Sequence, residues 1–140
     1  SSDWSGLGVA HMLALSGHKV RLLSGASTCG ESIPAIVRDQ WVGELESLNV
    51  ELICYARFFG AQGRTAFFQH TINGEAIICE DVDAIVSCYP PQSNNDCDWM
   101  SDLITPDNPS LQIKKIGDAL APRTVEEAVL EGVKAAWSIR

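Results

Sequence analysis

Cations are scarce in this 140-residue chain: ten Lys and Arg stand against eighteen Asp and Glu, a formal net charge of -8. The ten are scattered, so no basic stripe is present to neutralise phosphates, and nucleic acid is excluded as an expected partner. Long apolar runs are missing as well. A run such as residues 82–86 is far too short to span a bilayer, and Ser1-Ser2-Asp3-Trp4 has neither the basic region nor the apolar core of a signal peptide. The chain therefore reads as cytoplasmic, with no membrane partner. No C-x-x-C pair occurs among Cys29, Cys54, Cys79, Cys88 and Cys97, and their number is odd, which argues against an iron–sulfur cluster or a disulfide framework within this chain. Buried free thiols are expected instead. His11, His18 and His70 lie far apart with no paired ligand spacing, so no metal site is expected.

What is present is apolar material for a core. The hydrophobic fraction is 46% and charged residues make up only 20%, with no low-complexity tract, so a globular fold is expected. Leu7, Ala10, Leu13 and Ala14 recur at helical spacing over residues 6–16, and Gly17 stands in the usual stop position. Residues 18–23 follow with the alternation of a strand. Helix and strand together form half of a βαβ unit, whose first strand is expected before residue 6, where no apolar run stands. The expectation drawn from this is a fragment of a longer polypeptide that lacks its first strand.

A second helix is predicted over residues 33–48, with Pro34 in its first turn and Asn49 ending it, then a strand over 50–55. Residues 65–70 and 75–79 flank Asn73-Gly74 as an antiparallel ribbon. Residues 82–88 read as a buried parallel strand stopped by Tyr89-Pro90-Pro91, pairing with residues 18–23. Asp81 and Asp83 are read as flanking that strand. The Ser-, Asn-, Asp- and Pro-rich stretch 92–110 is predicted to be a loop or domain crossing, with a short helical turn near Trp99. A strand is predicted at 113–116 and a helix from Thr124, where Glu127 returns the capping bond three residues on. The four tryptophans read as single core or interface residues.

Two stretches carry candidate chemistry. Residues 3–8 lie where a phosphate loop would lie, but only Gly6 and Gly8 of the three expected glycines are present, so a purely structural reading stands beside the functional one. The acid that would hold ribose hydroxyls after the second strand is replaced by Ser24, and Arg21, which could meet a 2′-phosphate, reads on an alternating strand first as an ordinary surface charge. The second stretch is Ile116-Gly117-Asp118-Ala119-Leu120-Ala121-Pro122-Arg123-Thr124. Glycine there lets backbone approach a ligand, the aspartate can accept from sugar hydroxyls, and the following helix N-terminus favours anions. The alternative is that Asp118 satisfies only loop donors.

Residues 116–123, continued by Glu127-Ala128, Gly132 and Ala135-Ala136, resemble the C-terminal flavin-domain signature of the trimethylamine dehydrogenase and 2,4-dienoyl-CoA reductase branch of the Old Yellow Enzyme family. Residues 6–20 are similar to the start of the NAD-domain-like insert of those proteins. The resemblance implies an α/β, Rossmann-like, glutathione-reductase-type sheet with a small antiparallel ribbon, residues 1–103 forming the incomplete NAD(P)-binding-like domain and 104–140 the end of the FAD- or ADP-binding-like domain. It implies Gly6, Gly8, Gly117, Asp118, Ala119, Pro122, Arg123 and Thr124 as cofactor-binding residues and no catalytic residue in this chain. It places FAD or ADP in this region, and FMN with a 4Fe-4S cluster in an N-terminal barrel outside this chain. The expected partners are a nucleotide and the rest of the parent flavoenzyme, a homo-oligomer acting on methylated amines or related substrates. The isolated chain is expected to be inactive. A scaffolding module with an empty site and an NAD(P)H-dependent enoyl reductase domain are the competing readings.

Overall fold

The first helix begins earlier than its apolar pattern predicts. α1 covers Ser2–Leu15, so Trp4, Ser5 and both early glycines are helical. It stops at Gly17, whose φ of +84 costs glycine little, and the bonds from Gly17 N–H to Ala14 O and His18 N–H to Leu13 O close the end. The computed structural model describes residues 2–94, 96–107 and 111–139. They form two compact units, Ser2–Tyr89 and Pro90–Arg140.

In the first unit, β1 (Arg21–Leu23) runs parallel to β2 (Glu51–Ile53), with α2 (Ala35–Ser47) as the crossover between them. Parallel neighbours need such a crossover because a tight turn would reverse the chain. α2 ends at Leu48, and Asn49, at φ +59, bends the chain so that Val50 N–H reaches Leu45 O. Leu7 and Ala10 of α1, Cys29, Ile33, Leu45 of α2 and Val50 form the buried core, with Val20, Leu22 and Trp41 packed around it. Leu45 is fully buried.

β2 is shorter than predicted because Tyr55 adopts φ +56, a left-handed conformation that breaks the strand although no glycine is present to signal it. The chain then enters β3 (Ala56–Gln62), β4 (Thr65–His70) and β5 (Ala76–Cys79), an antiparallel sheet in the order β3-β4-β5. The ribbon predicted around Asn73-Gly74 is therefore real but has a third strand. Phe59 is the extra residue where the register shifts between Phe58 and Gly60, and it is left 78% exposed.

Two predicted strands do not form. Residues 82–88 make no ladder and do not pair with β1, which pairs with β2 instead. Their apolar content suits a strand, but a strand needs a partner edge. Val82 N–H bonds to Arg64 O, Asp83 pairs with Arg64 at 3.0 Å, and Ile85 and Val86 remain exposed. Residues 113–116 are likewise irregular.

In the second unit, a 3-10 turn covers Asp98–Leu103, as the sequence predicts near Trp99. A second short turn, Gly117–Ala119, leads into α3 (Val125–Trp137). The start of α3 follows the sequence prediction: Thr124 N–H donates to the Glu127 carboxylate at 3.0 Å, and so does the Thr124 hydroxyl. Val125, Val129, Val133 and Trp137, spaced four apart, form an exposed apolar stripe on this helix. The α/β class expected from the sequence is borne out, with a small parallel sheet and an antiparallel sheet.

Candidate functional site

The turn at Gly117 is built by one carboxylate on α3. Gly117 has φ +59, and its carbonyl accepts from both Leu120 N–H and Ala121 N–H at 3.0 Å, which curls residues 117–121 tightly. Its N–H donates to Glu131 Oε2 at 2.7 Å. The other Glu131 oxygen pairs with the Arg123 guanidinium, whose Nε also donates to Ala121 O at 3.3 Å. These bonds hold the Glu131 carboxyl below the ordinary carboxylate range, the Gly117 N–H first and Arg123 second. The Glu127 carboxyl is lowered too, chiefly by the Thr124 hydroxyl.

Asp118 sits on this turn, exposed, and among the described residues its carboxylate has no hydrogen-bond partner. The reading in which it serves only loop donors thus finds no such bond. Ala119 and Thr124 are exposed and Pro122 is half-buried, so one short segment carries six of the eight sequence-derived residues. Arg123 belongs to the same segment with its guanidinium engaged by Glu131.

Gly6 and Gly8 lie elsewhere, inside α1, where helix geometry commits their N–H groups to carbonyls one turn back. Both glycines thus stand within the helix Ser2–Leu15. The first turn also carries its own carboxylate: Asp3 accepts from Ser32 N–H at 2.8 Å. A Cβ at Gly6 would make ordinary contacts, 3.9 Å from Cys88 Cβ and 4.0 Å from Leu22 Cδ1. Arg21 is held by Glu51 at 2.9 Å and by Glu80 O at 2.7 Å. Ser24, where an acid would hold ribose, accepts from Ala26 N–H at 3.2 Å. His11 bonds to Glu44 at 2.8 Å and meets the edge of Trp41.

Sequence reasoning missed two features. Glu131 carries no local signal, because its contact with Gly117 spans fourteen residues. Lys114, Lys115 and Lys134 read as scattered charges, yet they line one open groove of about 360 Å³ together with Ile116, Leu120 and Glu131. Lys114 donates to the Ser138 hydroxyl and Lys115 pairs with Asp98, while Lys134 has no ion pair among the described residues. The spacing of Lys134 from Glu131, one helical turn, was the available signal for the groove.

Solved structures share the fold of the chain. Histamine dehydrogenase from Rhizobium sp. 4-9 matches with a TM-score of 0.79 over 94% of this chain, at 18% identity. The 6-hydroxypseudooxynicotine amine oxidase of Pseudomonas geniculata N1 matches with 0.80 over 94%, also at 18%. A 2-naphthoyl-CoA reductase in complex with 2-naphthoyl-CoA matches with 0.73 over 96%, again at 18%. The chain has their fold. The resemblance read from residues 6–20 and 116–123 is thereby borne out as a likeness of fold. The chain spans about a fifth of the length of these structures, covering 21%, 20% and 19% of them. No family model and no curated protein matches the sequence.

Proposed function

We propose that the chain is the nucleotide-holding part of a larger flavin-dependent oxidoreductase. The observation that carries this reading is Asp118: a carboxylate without a partner among the described residues, raised on a left-handed glycine turn at the head of a helix. A free carboxylate there is suited to accept from the hydroxyls of a ribose or ribityl chain. Lys114, Lys115 and Lys134 add positive charge in the neighbouring groove of a chain whose net charge is -8. FAD or ADP is the ligand proposed for Asp118, and Gly117, Ala119, Pro122, Arg123 and Thr124 belong to the segment that presents it.

In this reading residues 1–103 are the NAD(P)-binding-like part and 104–140 the end of the FAD- or ADP-binding-like part. Gly6 and Gly8 lie inside α1 of that part. The chain covers about a fifth of the matched structures, which supports a larger parent enzyme, and FMN with a 4Fe-4S cluster in a separate barrel is proposed for it from the resemblance of residues 6–20 and 116–123. Two of the matched proteins are named for amines and one for a CoA ester, which supports a methylated amine or a related substrate for the whole enzyme. The parent is proposed to be a cytoplasmic homo-oligomer. The chain alone is proposed to be inactive, since hydride and flavin chemistry belong to cofactors placed in the rest of the parent enzyme.

The test is to purify the complete polypeptide, denature it and identify released nucleotide by mass. FAD or ADP in stoichiometric amount supports the proposal. Release of neither would favour the scaffolding reading, for which the apolar stripe of α3 is the supporting feature.

A further inference from the structure

We infer that Glu131 is a positioning residue for the nucleotide: it braces the Gly117 turn through the backbone N–H and holds Arg123 against the same turn, so that Asp118 is presented to the ligand in a fixed conformation. This inference rests on the nucleotide reading of the Gly117–Ala119 turn.

Gly117 is in the left-handed region at φ +59, which glycine visits freely and also leaves freely, so its own conformational preference does not hold the turn. The Gly117 carbonyl is engaged by Leu120 and Ala121, which curls the chain after the glycine but leaves the peptide before it unrestrained. The restraint on that peptide is the 2.7 Å bond from Gly117 N–H to Glu131 Oε2. Arg123 supplies the second arm, pairing with Oε1 of the same carboxylate while its Nε bonds to Ala121 O. One side chain on α3 therefore ties down both ends of the segment 117–123, and Asp118 lies between the two ties. The Glu131 side chain is 18% exposed, so water competes only in part for these bonds. A ligand that bonds to Asp118 on a pre-formed turn does not have to order the turn on binding, and that saving appears as affinity.

The experiment titrates ADP into the complete polypeptide stripped of nucleotide, at a temperature where every variant is folded by circular dichroism. Glu131→Ala is expected to raise the Kd for ADP by about tenfold to a hundredfold, the range of a lost charge-assisted hydrogen bond. Glu131→Gln keeps a carbonyl oxygen for Gly117 N–H but turns its amide N–H groups toward the Arg123 guanidinium, so its Kd is expected to fall between those of the parent and of Glu131→Ala, a partial rescue that stability alone does not produce. Should Glu131→Ala fail to fold, Glu131→Asp, one methylene shorter and unable to reach both partners, serves in its place. Unchanged ADP affinity with a lowered Tm overturns the inference, and so does tighter binding, which would mean that Glu131 occupies the ligand's own place. If Asp118→Ala loses ADP while Glu131→Ala keeps it, the inference fails and the nucleotide reading stands. If the parent binds neither ADP nor FAD, the nucleotide reading itself fails and the inference goes with it.

Discussion

Gly117 and Ala128 stand so close that a Cβ built on the glycine would come within 3.4 Å of the alanine Cβ, and Gly117 holds φ +59 at that point. Two demands thus meet at one residue: a left-handed backbone and little room toward α3. Gly117→Ala is expected to destabilise the Pro90–Arg140 unit by roughly 1–2 kcal/mol, the cost of placing an L-residue in that region. Denaturant unfolding followed by Trp99 and Trp137 fluorescence measures this, and an unchanged midpoint would contradict the turn described.

Asp118→Ala separates binding from folding in the complete polypeptide. With no partner among the described residues to lose, its removal is expected to leave Tm nearly unchanged. Under the proposed function it weakens nucleotide retention by roughly 1.5–3 kcal/mol, the value of a hydrogen bond to a charged group. A variant that retains its nucleotide fully removes Asp118 from the site.

Acid is expected to loosen the segment around α3. Glu131 and Glu127 are both lowered by bonds made in the fold, to Gly117 N–H and to the Thr124 hydroxyl respectively. A carboxyl whose folded pKa is depressed stabilises the fold above its unfolded pKa, and that contribution is lost as pH falls through the folded value. Stability should therefore decline as pH drops below the ordinary glutamate range, and less so in Glu127→Gln/Glu131→Gln. An equal acid dependence in both proteins would refute the assignment.

Thiol reactivity should follow burial. Burial, with the neighbouring Cys54 thiol and then Asp3 adding to it, pushes the Cys29 thiol up to about 12. All five cysteines are free; Cys29 and Cys79 are buried and Cys97 is exposed. A disulfide reagent at neutral pH is expected to modify Cys97 first and to reach Cys29 and Cys79 only on unfolding, because the thiolate is the reactive species. Mass mapping that finds Cys29 labelled early would sink this.

Leu45→Ala tests the core of the Ser2–Tyr89 unit. Leu45 is fully buried among Leu7, Ala10, Ile33 and Val50, so truncation should cost about 2–5 kcal/mol as a transfer and cavity term. Unfolding monitored through Trp41 reads the change, and a loss below about 1 kcal/mol would mean that the site is not packed as described.

Local pattern was enough for the elements whose causes are local. The periodicity of Leu7, Ala10 and Leu13 marked the body of α1 though not its start at Ser2, Thr124 and Glu127 determined the start of α3, and Asn73-Gly74 determined the turn between β4 and β5. The Gly117–Thr124 segment was legible for the same reason, since its glycine, acid and helix cap are adjacent in the chain. Tertiary structure decided the rest. The apolar run at 82–88 carries strand propensity, but pairing depends on a partner edge that no local pattern encodes, and it stays unpaired. Tyr55 takes a left-handed conformation that its residue type does not announce, between Ala26 N-terminal to it and Thr71 beyond, whose backbone groups bond to its own N–H and C=O. Glu131 reaches Gly117 and Arg123 only once α3 has folded back on the turn. The lysines at 114, 115 and 134 become one groove by the same folding, because charges distant in sequence act together only when the chain brings them within reach.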